Sequence, residues 1–278
     1  MFEAEDRTQV VDGGVIQQGP LIVVVGAKGG CGATTIAANL ASRLAEEQRV
    51  CLVDLHCGRG DVAAVLDVRS DRSINTVLER LSQSDDALVL GAGEVLANGL
   101  HVLAQPYDLT ELQAPHADDA RVLLRVVRRS FDLVFVDVGS TIQIATLATL
   151  MEATEILLVT TPDVLAVRNA QRTMRLLHVL GVAEERIRLV VNKAWAGAPL
   201  GIDDIAEQLG APVAAVVSRD DDACAKADFE GRTLDNVAPR SRVARDLGSL
   251  WATLRELPEE KPLWSLPFSW LFGQASKG

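Results

Sequence analysis

Residues 26–35 read GAKGGCGATT, and they join an apolar run, LIVVV, to an amphipathic stretch, TTIAANLASRLAEEQ. A glycine-rich turn that leaves a strand and opens a helix lets backbone N–H groups converge as an anion nest, and the helix N-terminus adds its partial positive charge. Such a turn alone is also the mark of a tight strand-to-helix connection. Here Gly29, Gly30 and Gly32 fall within four residues, with Lys28 ahead of them and Thr34 and Thr35 behind, which favours a phosphate ligand. Ala33 stands where a phosphate loop carries its lysine.

The rest of the chain supplies the frame for that loop. LIVVVG (21–26), RVCLVDL (49–55), LHVLAQP (100–106), FDLVFVDV (131–138), EILLVTTP (155–162), RIRLVVNK (186–193) and PVAAVV (212–217) are short runs rich in Val, Leu and Ile. They are continuously apolar rather than alternating, so they predict a mostly parallel, twisted sheet of about seven or eight strands with helices on both faces, an α/β fold. Helical spacing marks TTIAANLASRLAEEQ, DDARVLLRVVRRS, DVLAVRNAQRTMRLLHVL and SRVARDLGSLWATLREL. The expected organisation is a flexible leader (1–20), one domain (21–256) and an aromatic C-terminal tail (257–278).

With 27 Lys plus Arg against 38 Asp plus Glu, the net charge is −11, which opposes wholesale attraction to nucleic acid or anionic lipid. No apolar run reaches the ~18–20 residues a membrane span requires, and the acidic N-terminus MFEAEDRTQVVDGG lacks the order of a secretory signal. A cytoplasmic protein is expected. Cys31, Cys51, Cys57 and Cys224 form no CxxC pair and read as reduced packing thiols.

The loop resembles that of the MinD/ParA group of P-loop ATPases, whose deviant Walker A motif is KGGxGKTT, and the resemblance covers most of the chain. It implies a nucleotide-sandwich homodimer binding ATP or ADP with Mg2+. Lys28 falls on the signature lysine that reaches the partner's phosphates, and Gly29, Gly30, Cys31, Gly32 and Ala33 fall on the loop. Thr34 falls on the magnesium-ligating hydroxyl and Thr35 on the residue beside the α-phosphate. In CLVDLHCGRGDVAAVLDV, Asp54 keeps the first of two aspartates and His56 replaces the second, which lies near the attacking water in the family. FDLVFVDVGS resembles the Walker B strand, with Asp137 holding magnesium through water. VVNK sets Asn192 where the family's adenine-contacting asparagine stands, and DDDACAKADFEGRTLDNVAPRSRVARDL resembles the stretch that closes over the base.

GAKGGCGATT, GRGDVAAVLDV and FEGRTL…PRSRVARDL look most like the TadZ/CpaE branch, which works in assembly of Tad-type pili. That branch implies a nucleotide-dependent dimeric scaffold, a protein partner in a pilus or secretion machine, and a location in the cytoplasm or at the inner face of the cell membrane or cell pole. Backbone amides retain most of a phosphate cradle, so nucleotide binding is expected to survive Ala33. Losing one electrostatic donor typically costs ~100- to 1000-fold in rate. The missing lysine and missing aspartate serve separate tasks, so hydrolysis is expected to be slow or absent, with Lys28 and Asp54 as the remaining catalytic candidates. A membrane-cycling ATPase of the MinD type and a DNA-partitioning ParA protein stay open as alternatives.

Three further features carry two readings each. His56 is either a substitute base or a structural replacement. Arg121, Arg125, Arg128 and Arg129 form either a basic face or a solvated one paired with neighbouring acids, and the net charge favours the second. Arg240, Arg242 and Arg245 lie where DNA-partitioning relatives carry DNA-binding arginines, but three residues in so acidic a chain point away from nucleic acid. In the tail, Trp264, Phe268, Trp270, Leu271 and Phe272 concentrate apolar area, while Lys261 and Lys277 are its only basic residues and Pro267 interrupts any helix. Docking on protein and contact with membrane both stay open for it.

Overall fold

A computed structural model of the protein describes residues 10–11, 14–15, 18–56, 60–69, 72–80 and 86–255. The chain enters through a small antiparallel pair, β1 (Val10–Val11) and β2 (Gly14–Val15). The seven apolar runs follow as β3 (Leu21–Gly26), β4 (Val50–Asp54), β6 (His101–Leu103), β7 (Leu133–Asp137), β8 (Glu155–Thr160), β9 (Ile187–Ala194) and β10 (Val213–Ser218). One strand not foreseen, β5 (Glu94–Val95), completes an eight-stranded sheet in the order β10-β9-β8-β3-β7-β4-β6-β5. Two residues are too few to show a period, and β5 is the antiparallel edge of an otherwise parallel sheet.

Helices cover both faces because the strands are apolar on both. Alternate strand residues such as Leu21, Val23 and Val25 pack in one core with α3 (Ile74–Leu78), α4 (Asp86–Gly91), α5 (Ala117–Ser130), α6 (Ile144–Glu152), α7 (Val164–Val179) and α8 (Ile202–Leu209). Their neighbours Ile22 and Val24 face a second core with α1 (Ala33–Leu44), α2 (Val62–Val65), α9 (Asp221–Glu230), α10 (Leu234–Val237) and α11 (Arg242–Arg255). This two-residue alternation is why a continuous apolar strand serves two cores at once.

The strand order fixes where a ligand can lie. β3 sits between β7 and β8, yet α1 leaves β3 toward one face while α6 and α7 leave β7 and β8 toward the other. Connections that diverge at the carboxyl ends of parallel strands open a crevice there. The glycine-rich loop occupies that crevice.

The α5 arginines do not form one uniform face. Arg128 is buried and donates from Nε to the Gly19 carbonyl at 2.7 Å, whereas Arg121 pairs with Asp118 at 3.1 Å and approaches Glu152 at 3.8 Å. Cys31 and Cys51 are buried free thiols, and Cys224 is free and half-buried. Cys57, residues 1–9 of the leader and the aromatic tail lie outside the described residues.

Candidate functional site

The loop is anchored at its base by hydrogen bonds to both neighbouring connections: Gly26 N–H donates to the Gly139 carbonyl at 2.7 Å and Ala27 N–H to the Val159 carbonyl at 2.8 Å. Gly30 and Gly32 both take left-handed backbone, with φ of 74° and 92°. Gly32 caps α1, and a Cβ there would overlap the Asn192 amide. That amide donates from Nδ2 to the Cys31 carbonyl at 2.8 Å, and Lys193 Nζ donates to the Gly30 carbonyl at 2.8 Å. Lys193 is itself left-handed, with φ of 54°, an uncommon conformation for a lysine. Carbonyls turned toward β9 are thereby separated from the loop amides, which is the polarity an anion site needs.

Position 33 contributes no charge. Ala33 is the first residue of α1, only 7% exposed, and its methyl packs in the core with Ile36 and Ala37. Cys31 is buried as well, and burial pushes its thiol pKa up. The contribution of these two residues to a ligand is therefore confined to backbone. Thr35 carries its role in the helix: its carbonyl accepts from Asn39 Nδ2 at 2.8 Å.

Two carboxylates lie side by side beneath the loop. Asp54 and Asp137 end adjacent strands in direct register, and both are 0% exposed. Asp137 accepts from the Thr34 hydroxyl at 2.6 Å and from Gly139 N–H at 3.0 Å; Asp54 accepts from His56 N–H at 3.0 Å and Val62 N–H at 3.2 Å. Burial, followed by the charge of Asp137, drives the Asp54 pKa well above the usual carboxylate range. Burial also raises Asp137, against the opposing hydrogen bonds from Thr34 and Gly139. Buried anions without a cationic partner are costly. This pair with the Thr34 hydroxyl fits a divalent cation. Mg2+ takes few protein ligands and keeps waters and phosphate oxygens for the rest, so two carboxylates and a hydroxyl meet what that ion asks of the protein.

His56 lies against this pair. A Cβ at Gly139, where φ is 64°, would collide with the imidazole, and the buried His56 Nδ1 has no hydrogen-bond partner among the described residues. Lys28 sits at the opposite lip with Nζ 3.0 Å from Asp163 Oδ2, in the same chain. Although burial opposes it, hydrogen bonds from Thr161, Ala166 N–H and Lys28 hold the Asp163 carboxyl below its ordinary value.

Sequence reasoning thus placed Lys28, Thr34, Asp54, Asp137 and Asn192 around one crevice, and the structure brings them together. It missed Asp163, Gly139 and Lys193. Asp163 follows TTP as a helix-capping residue, and Lys193 directly follows Asn192, so both signals were present in the chain. Farther along the same strand ends, Trp195, Arg219 and Asp220 to Asp222 line an open cavity of ≈ 460 Å³. The Arg219 guanidinium lies 5.7 Å from the Trp195 ring centroid and pairs with Asp221 at 2.6 Å.

Residues 22–234 match the sequence pattern of the CobQ/CobB/MinD/ParA nucleotide binding domain. The chain is 32% identical over 237 residues to the septum site-determining protein MinD of Bacillus subtilis, covering 81% of this chain and 85% of that protein. Its fold is similar to the crystal structure of a ParA family ATPase from Chlorobium tepidum, with a TM-score of 0.79 and 22% identity over 84% of this chain and 98% of the other. It is also similar to MinD from Pyrococcus horikoshii, solved with Mg-ADP, with a TM-score of 0.74 and 19% identity over 86% and 96% of the two chains.

Proposed function

The chain belongs to the CobQ/CobB/MinD/ParA nucleotide-binding family, and from that membership we propose a dimeric, ATP-binding scaffold of the TadZ/CpaE type. In this reading it organises a pilus or secretion assembly and hydrolyses ATP slowly or not at all. The observation that carries the proposal is Ala33, whose methyl is turned into the core beneath a phosphate loop that is otherwise well braced. The loop amides and the α1 N-terminus hold phosphate. Thr34 and Asp137, with Asp54 beside them, would hold Mg2+, and its charge would offset the two buried carboxylates and screen the phosphates. Lys28 reaches the nucleotide of a second copy, which requires release from Asp163. In this reading His56, whose ring packs against Gly139, does not replace the carboxylate that the family sets near the attacking water.

The protein partner belongs to the assembled machine, and the location is the cytoplasm or the inner face of the membrane, reached through the partner or the aromatic tail. A second reading, a MinD-type ATPase cycling on a membrane, is favoured by the 32% identity to a protein of that name. Calorimetric titration with Mg-ATP, followed by phosphate release alone, with liposomes and with DNA, separates them. Binding without surface-stimulated turnover supports the scaffold. Liposome-stimulated turnover returns the MinD type, and DNA-stimulated turnover the ParA type.

A further inference from the structure

Lys193 follows Asn192 near the carboxyl end of β9, and both side chains reach the same loop. Successive residues of a regular strand point to opposite faces. Here the left-handed backbone of Lys193, with φ of 54°, turns the second side chain back toward the loop. The Asn192 amide spans the bend, since its Oδ1 accepts from Lys193 N–H at 2.8 Å while its Nδ2 donates to the Cys31 carbonyl at 2.8 Å. Asn and Asp take this conformation more readily than other side chains, so a lysine held in it points to a use for its charge and reach. The pair sets two consecutive peptide planes of the loop. In a trans peptide the carbonyl and the following N–H point in opposite directions. Lys193 Nζ on the Gly30 carbonyl at 2.8 Å therefore directs Cys31 N–H away from β9, and Asn192 on the Cys31 carbonyl does the same for Gly32 N–H. Cys31 N–H meets the Lys28 carbonyl at a long 3.4 Å, which leaves it weakly engaged.

The charge of Lys193 is also available to a ligand. Lys28 is paired with Asp163 at 3.0 Å and Arg219 with Asp221 at 2.6 Å, whereas among the described residues no carboxylate forms an ion pair with Lys193. It brings an un-neutralised cation to a loop whose own position 33 carries none. We propose that Lys193 is a positioning residue for the polyphosphate of the ligand, acting from β9 through the Gly30 peptide and supplying part of the charge missing at position 33. The ammonium holds the Gly30 carbonyl back and polarises the Gly30–Cys31 peptide, which makes its N–H a stronger donor. It also adds a positive field at the carbonyl side of the loop, and that field reaches phosphates bound on the amide side. The inference rests on the nucleotide-binding reading above and adds to it a source for the compensating charge.

The test is calorimetric titration of the full chain with Mg-ATP and with magnesium triphosphate. Lys193→Met, close in length and equal in its backbone demand, is expected to weaken both ligands about tenfold. Lys193→Arg is expected to restore most of that affinity. Lys193→Gly relieves the left-handed backbone, so it should keep the parent's thermal melt while losing affinity as the Met variant does. A residue of merely structural use would lose affinity only together with stability. Because Lys193 is exposed and its charge is screened by salt, the ratio of parent to Met affinity should shrink between about 0.05 M and about 0.5 M NaCl. Arg125→Met, which removes an exposed charge on α5, is expected to change neither titration. Failure of the parent to bind either ligand would overturn the nucleotide-binding reading and this inference with it. Parent binding that survives Lys193→Met, a salt-independent ratio, no rescue by Lys193→Arg, or weaker ATP binding with triphosphate unaffected would overturn the inference alone.

Discussion

Lys28 Nζ lies 3.0 Å from Asp163 Oδ2, while Asp163 Oδ1 accepts the Ala166 N–H that caps α7. One carboxylate therefore serves both the lip of the phosphate loop and the start of the arginine-bearing helix. Both partners are 33% exposed, so the ion pair itself adds only ~0.2–1 kcal/mol. Its effect is on where Lys28 points.

Replacing Asp163 separates these two tasks. Asp163→Asn keeps a capable N-cap but removes the charge, so it is expected to strengthen nucleotide-dependent dimerisation with little change in melting temperature. Asp163→Ala should also cost about 1 kcal/mol of stability through loss of the cap. Lys28→Ala should abolish dimerisation while retaining the monomer fold. Light scattering with a non-hydrolysable ATP analogue reads all three, and unaltered dimerisation in Lys28→Ala would remove the sandwich.

Ala33 opens α1 directly after the loop, so the longer side chain of Ala33→Lys can leave the methyl's core packing for the loop, and with an unchanged thermal melt it is expected to tighten Mg-ATP binding by ~10- to 100-fold, the worth of one charge-assisted hydrogen bond. Either Ala33→Lys or His56→Asp alone should recover little turnover. The double replacement should exceed the product of the two, because charge neutralisation and water positioning act as a unit. Phosphate release from the four proteins at saturating Mg-ATP provides the comparison, and robust turnover in the parent would end the scaffold reading.

The buried carboxylates predict a pH dependence with a definite sign. Asp54 and Asp137 have folded pKa values raised above the ordinary 3.8, so the folded state binds more protons between 3.8 and those values. Their contribution is most favourable below 3.8 and is lost as pH rises through the folded values. Mg2+ requires the ionised forms, so its stabilisation of the nucleotide complex should shrink as pH falls into that window. Asp137→Asn can keep both hydrogen bonds, with Oδ1 accepting from Gly139 and Nδ2 donating to Thr34. It should raise the ligand-free melting temperature at neutral pH and remove the response to Mg2+. Thermal melts across pH, with and without Mg-ATP, decide the matter.

Asn192 is predicted to act through the loop as well as through a base. Asn192→Ala leaves the Cys31 carbonyl without its donor, a loss of about 1–3 kcal/mol for a buried group. Weaker binding of both ATP and inorganic triphosphate is expected. If only ATP weakens, the residue serves the base alone.

The sequence by itself determined the sheet, because a strand such as Leu21–Gly26 must be apolar at every position to serve two cores, and that is a local property of the chain. It also determined the phosphate loop, since Gly30 and Gly32 meet a conformational demand that few other residues satisfy. Even the missing charge at position 33 was legible as a single letter. Tertiary structure alone decided what those residues do for one another. The register of β4 with β7 sets Asp54 against Asp137 from 83 residues away and gives both their raised pKa values. The packing of β8 beside β3 brings Asp163 to Lys28, and that of β9 brings Asn192 and Lys193 to the loop carbonyls. Burial, charge coupling and hydrogen-bond partnership depend on distance in space, and distance in space is set by strand order, which no local run of residues encodes.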